Sequence, residues 1–163
     1  MHLYWFESLY RFDNFVVGSC NDLARNASFA VAHGQVNLFV LAGRQGLGKT
    51  HLARAVVSEA RAHGEAGVVY TSAERFTNDF VGSLKARRAA QFRRRLRHGC
   101  RLLVMEDVQC LGARKATQLT LFHTICHLLD VGARVMLTAD RLPRDIEGLD
   151  PRLRLKLRAR HRA

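Results

Sequence analysis

Short apolar runs alternate along the chain with longer stretches in which apolar residues recur every three or four positions. The short runs have the length and composition of buried strands and lie at 36–42, 68–71, 102–105 and 134–138. The longer stretches have helical spacing and lie at about 49–63, 73–84, 87–97 and 119–129. Strands that alternate with helices are typical of a parallel sheet covered by crossover helices. The pattern predicts an α/β fold, and the length of 163 residues predicts one domain, 1–163.

A glycine-rich turn follows the first predicted strand. Residues 43–50 read Gly-Arg-Gln-Gly-Leu-Gly-Lys-Thr and match the phosphate-binding motif G-x-x-x-x-G-K-[ST] in the strand-then-helix context that it requires. In such a loop, backbone N–H groups and the helix N-terminus surround the phosphates, the lysine adds positive charge and the threonine hydroxyl holds Mg²⁺. The motif predicts that nucleotide is bound by Gly43, Gly46, Gly48, Lys49 and Thr50.

Acidic residues follow the third and fourth predicted strands. Glu106 and Asp107 end the third strand, and Asp140 follows the fourth. Open α/β folds collect their ligands at the carboxyl edge of the sheet, so these side chains are expected near the phosphate loop. An acid in this place binds the metal, and an adjacent one can orient the attacking water. Asp140 fits equally well as a cap for the segment that follows Pro143.

All of the net charge lies in the second half of the chain. Residues 1–84 are neutral overall, whereas 85–163 carry the whole +12. Such a basic half favours a polyanionic partner, with nucleic acid ahead of a membrane surface. The run 85–101 holds eight basic side chains and no acid, which fits either DNA contact or a solvated helix face with Phe92 and Leu96 turned inward.

The cysteines and the apolar runs bear on the compartment. The four cysteines lack paired C-x-x-C spacing, which favours reduced and mostly buried thiols. No apolar run approaches the ~20 residues that cross a bilayer. These features predict a cytoplasmic protein without a membrane span. His123 and His127 stand four residues apart beside Cys126, and without a further ligand cluster they favour a structural role over a metal site.

Several blocks outside the phosphate loop resemble the AAA+ class, and within it the ATPase domain of the DnaA family of bacterial replication initiators. The blocks are 10–21, 43–52, 70–84, 106–109, 122–124 and 138–141, so the resemblance covers about 10–157. It implies a P-loop AAA+ core with a parallel sheet of five strands, or of four strands and a degenerate last one. It also implies an initiator-specific helical insertion at about 73–97.

The resemblance assigns roles residue by residue. It implies ATP or ADP beneath a segment that contains Val17 and Asn21, and Mg²⁺ on Thr50 and Glu106. Three catalytic positions are implied: Asp107 as the acid, Asp140 as the first sensor, and Lys156 at the place of the arginine finger that reaches a neighbouring subunit. Contacts with single-stranded DNA are implied for Val81, Arg114 and Thr117.

The chain departs from the family pattern at some of these positions. Glu106 stands where the family usually has Asp, and Lys156 replaces an arginine whose planar fork grips phosphate bidentately. The sequence stops at Ala163, before the family's helical lid, and ends in a basic tail at 151–163. These departures predict weak or absent hydrolysis.

The resemblance implies an ATP-binding initiator of chromosomal replication that assembles when nucleotide is bound. Its expected partners are single-stranded and origin DNA, further copies or a full-length initiator, and the replicative helicase or its loader. Two alternatives stay open at the level of sequence. One is a helicase-loader or regulatory relative that acts as an ATP-dependent protein switch, and the other is a truncated, non-catalytic nucleic-acid-binding remnant.

Overall fold

A computed structural model describes residues 9–158. Six α-helices lie within this range: α1 (Asp22–Ala32), α2 (Lys49–Ala62), α3 (Ala73–Lys85), α4 (Ala89–Arg97), α5 (Lys115–Asp130) and α6 (Pro151–Arg158). Four strands lie between them: β1 (Leu38–Ala42), β2 (Val68–Ser72), β3 (Leu102–Glu106) and β4 (Arg134–Ala139). Two short 3₁₀ turns cover Val108–Leu111 and Pro143–Asp145.

The four strands form one parallel sheet in the order β1-β4-β3-β2. Within residues 9–158 the sheet has the four-stranded form of the sequence prediction, and the fifth strand is not found. Because β4 lies between β1 and β3, the loops that follow these three strands meet at one edge. The sheet therefore brings the glycine-rich turn, the acid pair and Asp140 to the same place.

Both faces of the sheet are buried, which explains the continuous apolar runs. Successive strand side chains point to opposite faces, so β3 places Leu102 and Val104 against α1 and α2, and Leu103 and Met105 against the other helices. The core thus consists of two apolar layers that the sheet separates. Helices, sheet and helices form three layers, and the packing between them holds the strand ends in place.

The predicted elements are confirmed, with ends shifted by a few residues, but the pattern missed two helices. In α6 basic and apolar residues alternate as in a strand, yet Leu153 and Leu157, four residues apart, are buried while Leu155 is 69% exposed. Helix α1 fully buries Ser28, Val31 and Ala32 and no large unbranched or aromatic side chain. In both segments, packing against the rest of the domain favours the helix.

The structure also bears on the cysteines, the start of α3, the predicted absence of a membrane span and the basic tail. All four cysteines are free, but only Cys100 is buried, so the expectation of mostly buried thiols is wrong. Ser72 caps α3, because its Oγ accepts a hydrogen bond from the Arg75 N–H at 3.2 Å. None of the helices within 9–158 is long and apolar enough to cross a membrane. Of the basic tail, residues 159–163 lie outside the described range.

Candidate functional site

The glycine-rich loop joins β1 to α2 with two glycines in the left-handed region. Gly46 has a φ of +83° and Gly48 a φ of +78°. Residues other than glycine adopt this backbone conformation only with strain. A Cβ on Gly48 would also lie 2.7 Å from Cε2 of Phe15. Helix α2 begins at Lys49 without a side-chain cap. Its first N–H groups and its positive dipole end therefore point to the loop.

Lys49 lies over this loop. Its ammonium Nζ donates hydrogen bonds to the carbonyl oxygens of Gly43 at 2.7 Å and Arg44 at 2.8 Å. The loop thus presents a positive charge beside uncapped helix N–H groups. That combination is the ordinary chemistry of phosphate binding in proteins.

The two expected metal ligands meet across the sheet edge. Thr50 donates a hydrogen bond from its hydroxyl to Oε2 of Glu106 at 2.5 Å, although the residues are 56 positions apart. Glu106 is only 6% exposed. A hydroxyl and a carboxylate are the oxygen ligands that Mg²⁺ prefers. The donor set fits the ion that the sequence predicts here.

The carboxylate of Glu106 has a second partner that the sequence did not indicate. Tyr70 on β2 donates its phenol O–H to Oε1 of Glu106, and Nε of Arg54 donates to the Tyr70 oxygen at 3.0 Å. The Arg54 guanidinium also lies 4.6 Å from the ring centroid of Tyr10. Only the parallel register of β2 and β3 brings Tyr70 beside Glu106, so no spacing in the sequence could reveal the contact.

The phenol of Tyr70 stays a donor across the physiological range. Burial, together with the hydrogen bond to Glu106, raises the pKa of Tyr70 to about 12. The deprotonated phenol would place a second negative charge against the carboxylate, which explains the direction of the shift. Glu106 is thus held between a threonine hydroxyl and a tyrosine hydroxyl.

Gln109 links the acids that follow β3 and β4. Its amide Nε2 donates to Oδ1 of Asp107 at 3.0 Å, and its Oε1 accepts from the Asp140 N–H at 3.2 Å. Asp107 has a φ of +59°, and its own N–H donates to Oγ1 of Thr138 at 3.1 Å. Gln109 and Thr138 therefore hold the two acid-bearing segments in fixed places at the sheet edge. Gln109 was not among the predicted site residues.

The carboxylate of Asp140 is paired with Arg141. The guanidinium donates from Nε to Oδ1 at 2.9 Å and from Nη2 to Oδ2 at 2.8 Å. These bonds lower the pKa of Asp140, and the charge of Lys49 adds to the effect. The side chain is therefore anionic and already engaged. The turn at Pro143–Asp145 has Leu142 at its N-cap and no side-chain cap hydrogen bond, so Asp140 is not used as a helix cap in the way the alternative expected.

A cavity of about 470 Å³ adjoins the loop and has the size of a small-ligand site. Its walls include the loop glycines, Lys49 and the segment before α1, from which Val16 and Asn21 contribute. Val16 lines the cavity and Val17 does not, and the contact of Val17 with nucleotide stays a prediction. Asn21 shapes the wall, because its amide accepts from the Gly18 N–H and donates to the Val16 carbonyl.

The three residues that are expected to contact single-stranded DNA differ in how exposed their side chains are. Val81 is 38% exposed on α3, and Arg114 is exposed directly before α5. Thr117 is only 2% exposed within the first turn of α5, so the expected contact of its side chain with DNA is wrong. The side chain is buried because it lies on the face of α5 that packs into the core.

A groove of about 580 Å³ runs between α3 and α4 beside β2. It is lined by Arg75, Arg88 and Arg95, with Phe76 and Phe92 at its apolar side. Phe92 and Leu96 pack against the core, as the inward-facing interpretation expected. Arg94 is exposed, whereas Arg93 and Arg97 are half-buried and line a cavity beside α5. The inward position of Phe92 and Leu96 is thus confirmed, and DNA contact by this run stays a prediction. Lys156 is half-buried on α6 and does not line the nucleotide cavity.

Comparison with known proteins agrees with this geometry. The sequence profile of the bacterial DnaA ATPase domain matches residues 6–160. The chromosomal replication initiator protein DnaA of Zymomonas mobilis is 41% identical over 156 residues, which cover 93% of this chain and 32% of that protein. This chain spans about a third of the length of the curated relatives it matches.

Solved structures give the same result. A replication initiator DnaA bound to AMPPCP and single-stranded DNA superimposes with a TM-score of 0.88 at 32% identity, over 93% of this chain and 48% of that one. Domain III of the replication initiation protein DnaA from Thermotoga maritima superimposes with a TM-score of 0.87 at 34% identity, over 91% and 63%. With its phosphate loop, four-stranded parallel sheet and matched profile, the chain belongs to the bacterial DnaA ATPase-domain family.

Proposed function

We propose that this chain is the nucleotide-binding part of a chromosomal replication initiator, and that it binds ATP or ADP together with Mg²⁺. The observation that carries the proposal is the contact between Thr50 and Glu106 at the mouth of the glycine-rich loop. It joins the phosphate motif to an acid from a distant strand, which a loop that merely connected two elements would not need. The related DnaA structure bound to AMPPCP, a nucleotide analogue, supports the same use of the site.

In this proposal the nucleotide phosphates lie on Gly46, Gly48 and the first N–H groups of α2. Lys49 exchanges its carbonyl partners for phosphate oxygens, and the base occupies the cavity beside Val16 and Asn21. Magnesium would be held by Thr50 and Glu106, and when bound it neutralises charge on the phosphates. Glu106 is kept in place for this by the phenol of Tyr70.

Hydrolysis is proposed to be slow. Asp107, which Gln109 holds, orients the attacking water, and the anionic Asp140 carboxylate is held by Arg141 rather than by the phosphates. Lys156 lies away from the cavity, as expected of a group that acts on a neighbouring subunit. As a lysine it offers phosphate a point charge in place of a bidentate fork, which weakens activation between subunits.

Contact with single-stranded DNA is proposed for the pair α3 and α4 and the loop before α5. The arginine-lined groove supplies a track for the phosphate backbone. Exposed Val81 lies on α3, and exposed Arg114 directly precedes α5. The matched DnaA structure with single-stranded DNA supports this assignment. For the full initiator we also propose self-assembly, binding of origin DNA, and contact with the replicative helicase or its loader. Cytoplasmic localisation remains a prediction.

Nucleotide binding is tested by calorimetric titration of the 163-residue chain with ATP and ADP in the presence of Mg²⁺. Lys49→Ala removes the charged donor to the phosphates and is expected to lower affinity by about 10²-fold or more. Lys85→Ala, an exposed lysine at the end of α3, is the matched control and should leave affinity unchanged. Equal affinity of the wild type and Lys49→Ala, or no binding at millimolar nucleotide, refutes the proposal.

DNA binding is tested with fluorescent single strands over a salt series, with and without ATP. Arg114→Ala should reduce the slope of log K against log salt by about 0.7, the amount expected for one phosphate contact on a single strand. Arg144→Ala, an exposed arginine on the 143–145 turn, is the control. Binding that needs no ATP and survives both Val81→Ala and Arg114→Ala excludes this groove and favours the non-catalytic remnant. ATP binding without any DNA binding favours the protein switch.

A further inference from the structure

A second cluster of ligating side chains lies far along α2 from the phosphate loop. His33 follows the end of α1, while Glu59 and His63 lie one turn apart at the end of α2 and just beyond it. One ligand atom from each of these three residues lies within 4.8 Å of the other two. Among residues 9–158 this is the group of three histidine, cysteine or acidic side chains that meets that spacing.

The distances within the cluster are those of a metal site. Nε2 of His33 lies 3.2 Å from Oε1 of Glu59, and Nδ1 of His63 lies 3.8 Å from the same oxygen. Two ligands on a tetrahedral ion with bonds of about 2.0–2.1 Å are roughly 3.3 Å apart. The three groups therefore need only small rotations to share one ion.

Neighbouring residues hold the side chains and the backbone of this cluster in place. The ring of Phe29 packs on that of His33 with centroids 4.2 Å apart. Nδ1 of His63 donates a hydrogen bond to the backbone carbonyl of Glu59 at 2.9 Å, and a bound metal ion would replace that proton. Buried Arg134 binds the Val31 and Ala32 carbonyls with one nitrogen, and so fixes the end of α1 directly before His33. Its other nitrogen pairs with Glu65 just beyond α2. One guanidinium thus holds together the two chain segments that supply the ligands.

We propose that His33, Glu59 and His63 form a second metal site, which binds a divalent transition-metal ion of the Zn²⁺ class. Two imidazoles and one carboxylate suit Zn²⁺, whereas Mg²⁺ and Ca²⁺ prefer ligand sets made of oxygen alone. Three protein ligands leave a coordination position for water. The bound ion would join the end of α1 to the end of α2, and α1 begins at the wall of the nucleotide cavity.

The test is calorimetric titration of the full 163-residue chain with ZnCl₂, in the absence of nucleotide and with reduced cysteines. His33→Gln and His63→Gln should each weaken Zn²⁺ binding at least tenfold, because an amide is a poor zinc ligand. Glutamine can keep the hydrogen bond to Glu59, so the fold is preserved. His98→Gln, an exposed histidine beyond α4, is the matched control and should bind as the wild type does.

A second measurement identifies the ligands directly. Ring nitrogen resonances of His33 and His63, assigned through the two variants, should shift on addition of Zn²⁺ and stay in place on addition of Mg²⁺. Zinc should also raise the thermal midpoint of the wild type and not that of either variant. Zinc binding of equal affinity in the wild type and both variants overturns the proposal, as does binding that disappears in His127→Gln.

Discussion

Arg134 gives the sharpest test of the packing described above. It begins the central strand β4, where a positive charge is unexpected, and its side chain is 9% exposed. One guanidinium nitrogen donates to the carbonyls of Val31 at 2.6 Å and Ala32 at 2.7 Å, and the other pairs with the carboxylate of Glu65. These bonds link the sheet to the end of α1 and to the segment beyond α2.

Replacement of Arg134 by methionine keeps the length of the side chain and removes all three bonds. A hydrogen bond to a charged group contributes about 1.5–3 kcal/mol, and removal of one partner of a buried ion pair costs about 3–5 kcal/mol. Glu65 is 23% exposed and regains water, whereas the two carbonyls lose their donor. We therefore expect the free energy of unfolding to fall by about 3–5 kcal/mol.

Urea unfolding followed by circular dichroism measures this loss, and the thermal midpoint should fall by about 6–20 °C for a domain of this size. Arg101→Met, at an exposed arginine that directly precedes β3, is the control and should change the free energy by less than about 0.5 kcal/mol. Arg134→Lys keeps the charge without the planar fork and should recover less than half of the loss. A loss below 1 kcal/mol in Arg134→Met would refute the reasoning.

Two further predictions concern a loop and the Glu106 network. Gly67→Ala should cost about 2–5 kcal/mol in urea unfolding, because its Cβ would lie 1.9 Å from the Gly99 carbonyl oxygen at a φ of +82°, whereas Gly64→Ala, with open space, should cost about 1–2 kcal/mol. Tyr70→Phe should destabilise the fold by about 1–3 kcal/mol, since Glu106 loses a buried donor. The raised pKa of Tyr70, about 12, predicts that the wild type keeps this contribution below pH 10 and loses it as the pH rises toward 12. A pH titration of unfolding should show that loss in the wild type and not in Tyr70→Phe.

Local pattern accounts for much of what the sequence revealed. The four strands are continuous apolar runs because both faces of the sheet are covered, and that signal does not depend on distant residues. The phosphate loop is equally local, since its glycines, Lys49 and Thr50 are neighbours in the chain. The expectation that Glu106 would lie at this loop followed from the general geometry of parallel sheets, and the structure confirms it.

Where a residue's role depends on its burial, the sequence by itself did not suffice. Arg134 counted toward the basic half that favours nucleic acid, yet it is buried and neutralises Glu65 within the fold. Thr117 matched a DNA-binding position, but the packing of α5 turns it into the core. The pattern of α6 fits a strand, and only contact of Leu153 and Leu157 with the core selects a helix.

The sequence alone therefore determined the α/β class, the order of the elements from β1 to β4 and the phosphate loop, because each depends on residues close together in the chain. The tertiary structure decided which distant groups share a contact: Tyr70 with Glu106, Arg134 with the end of α1, and His33 with Glu59. Such pairs depend on strand register and helix packing, which side chains from the whole domain fix together. No local spacing encodes them.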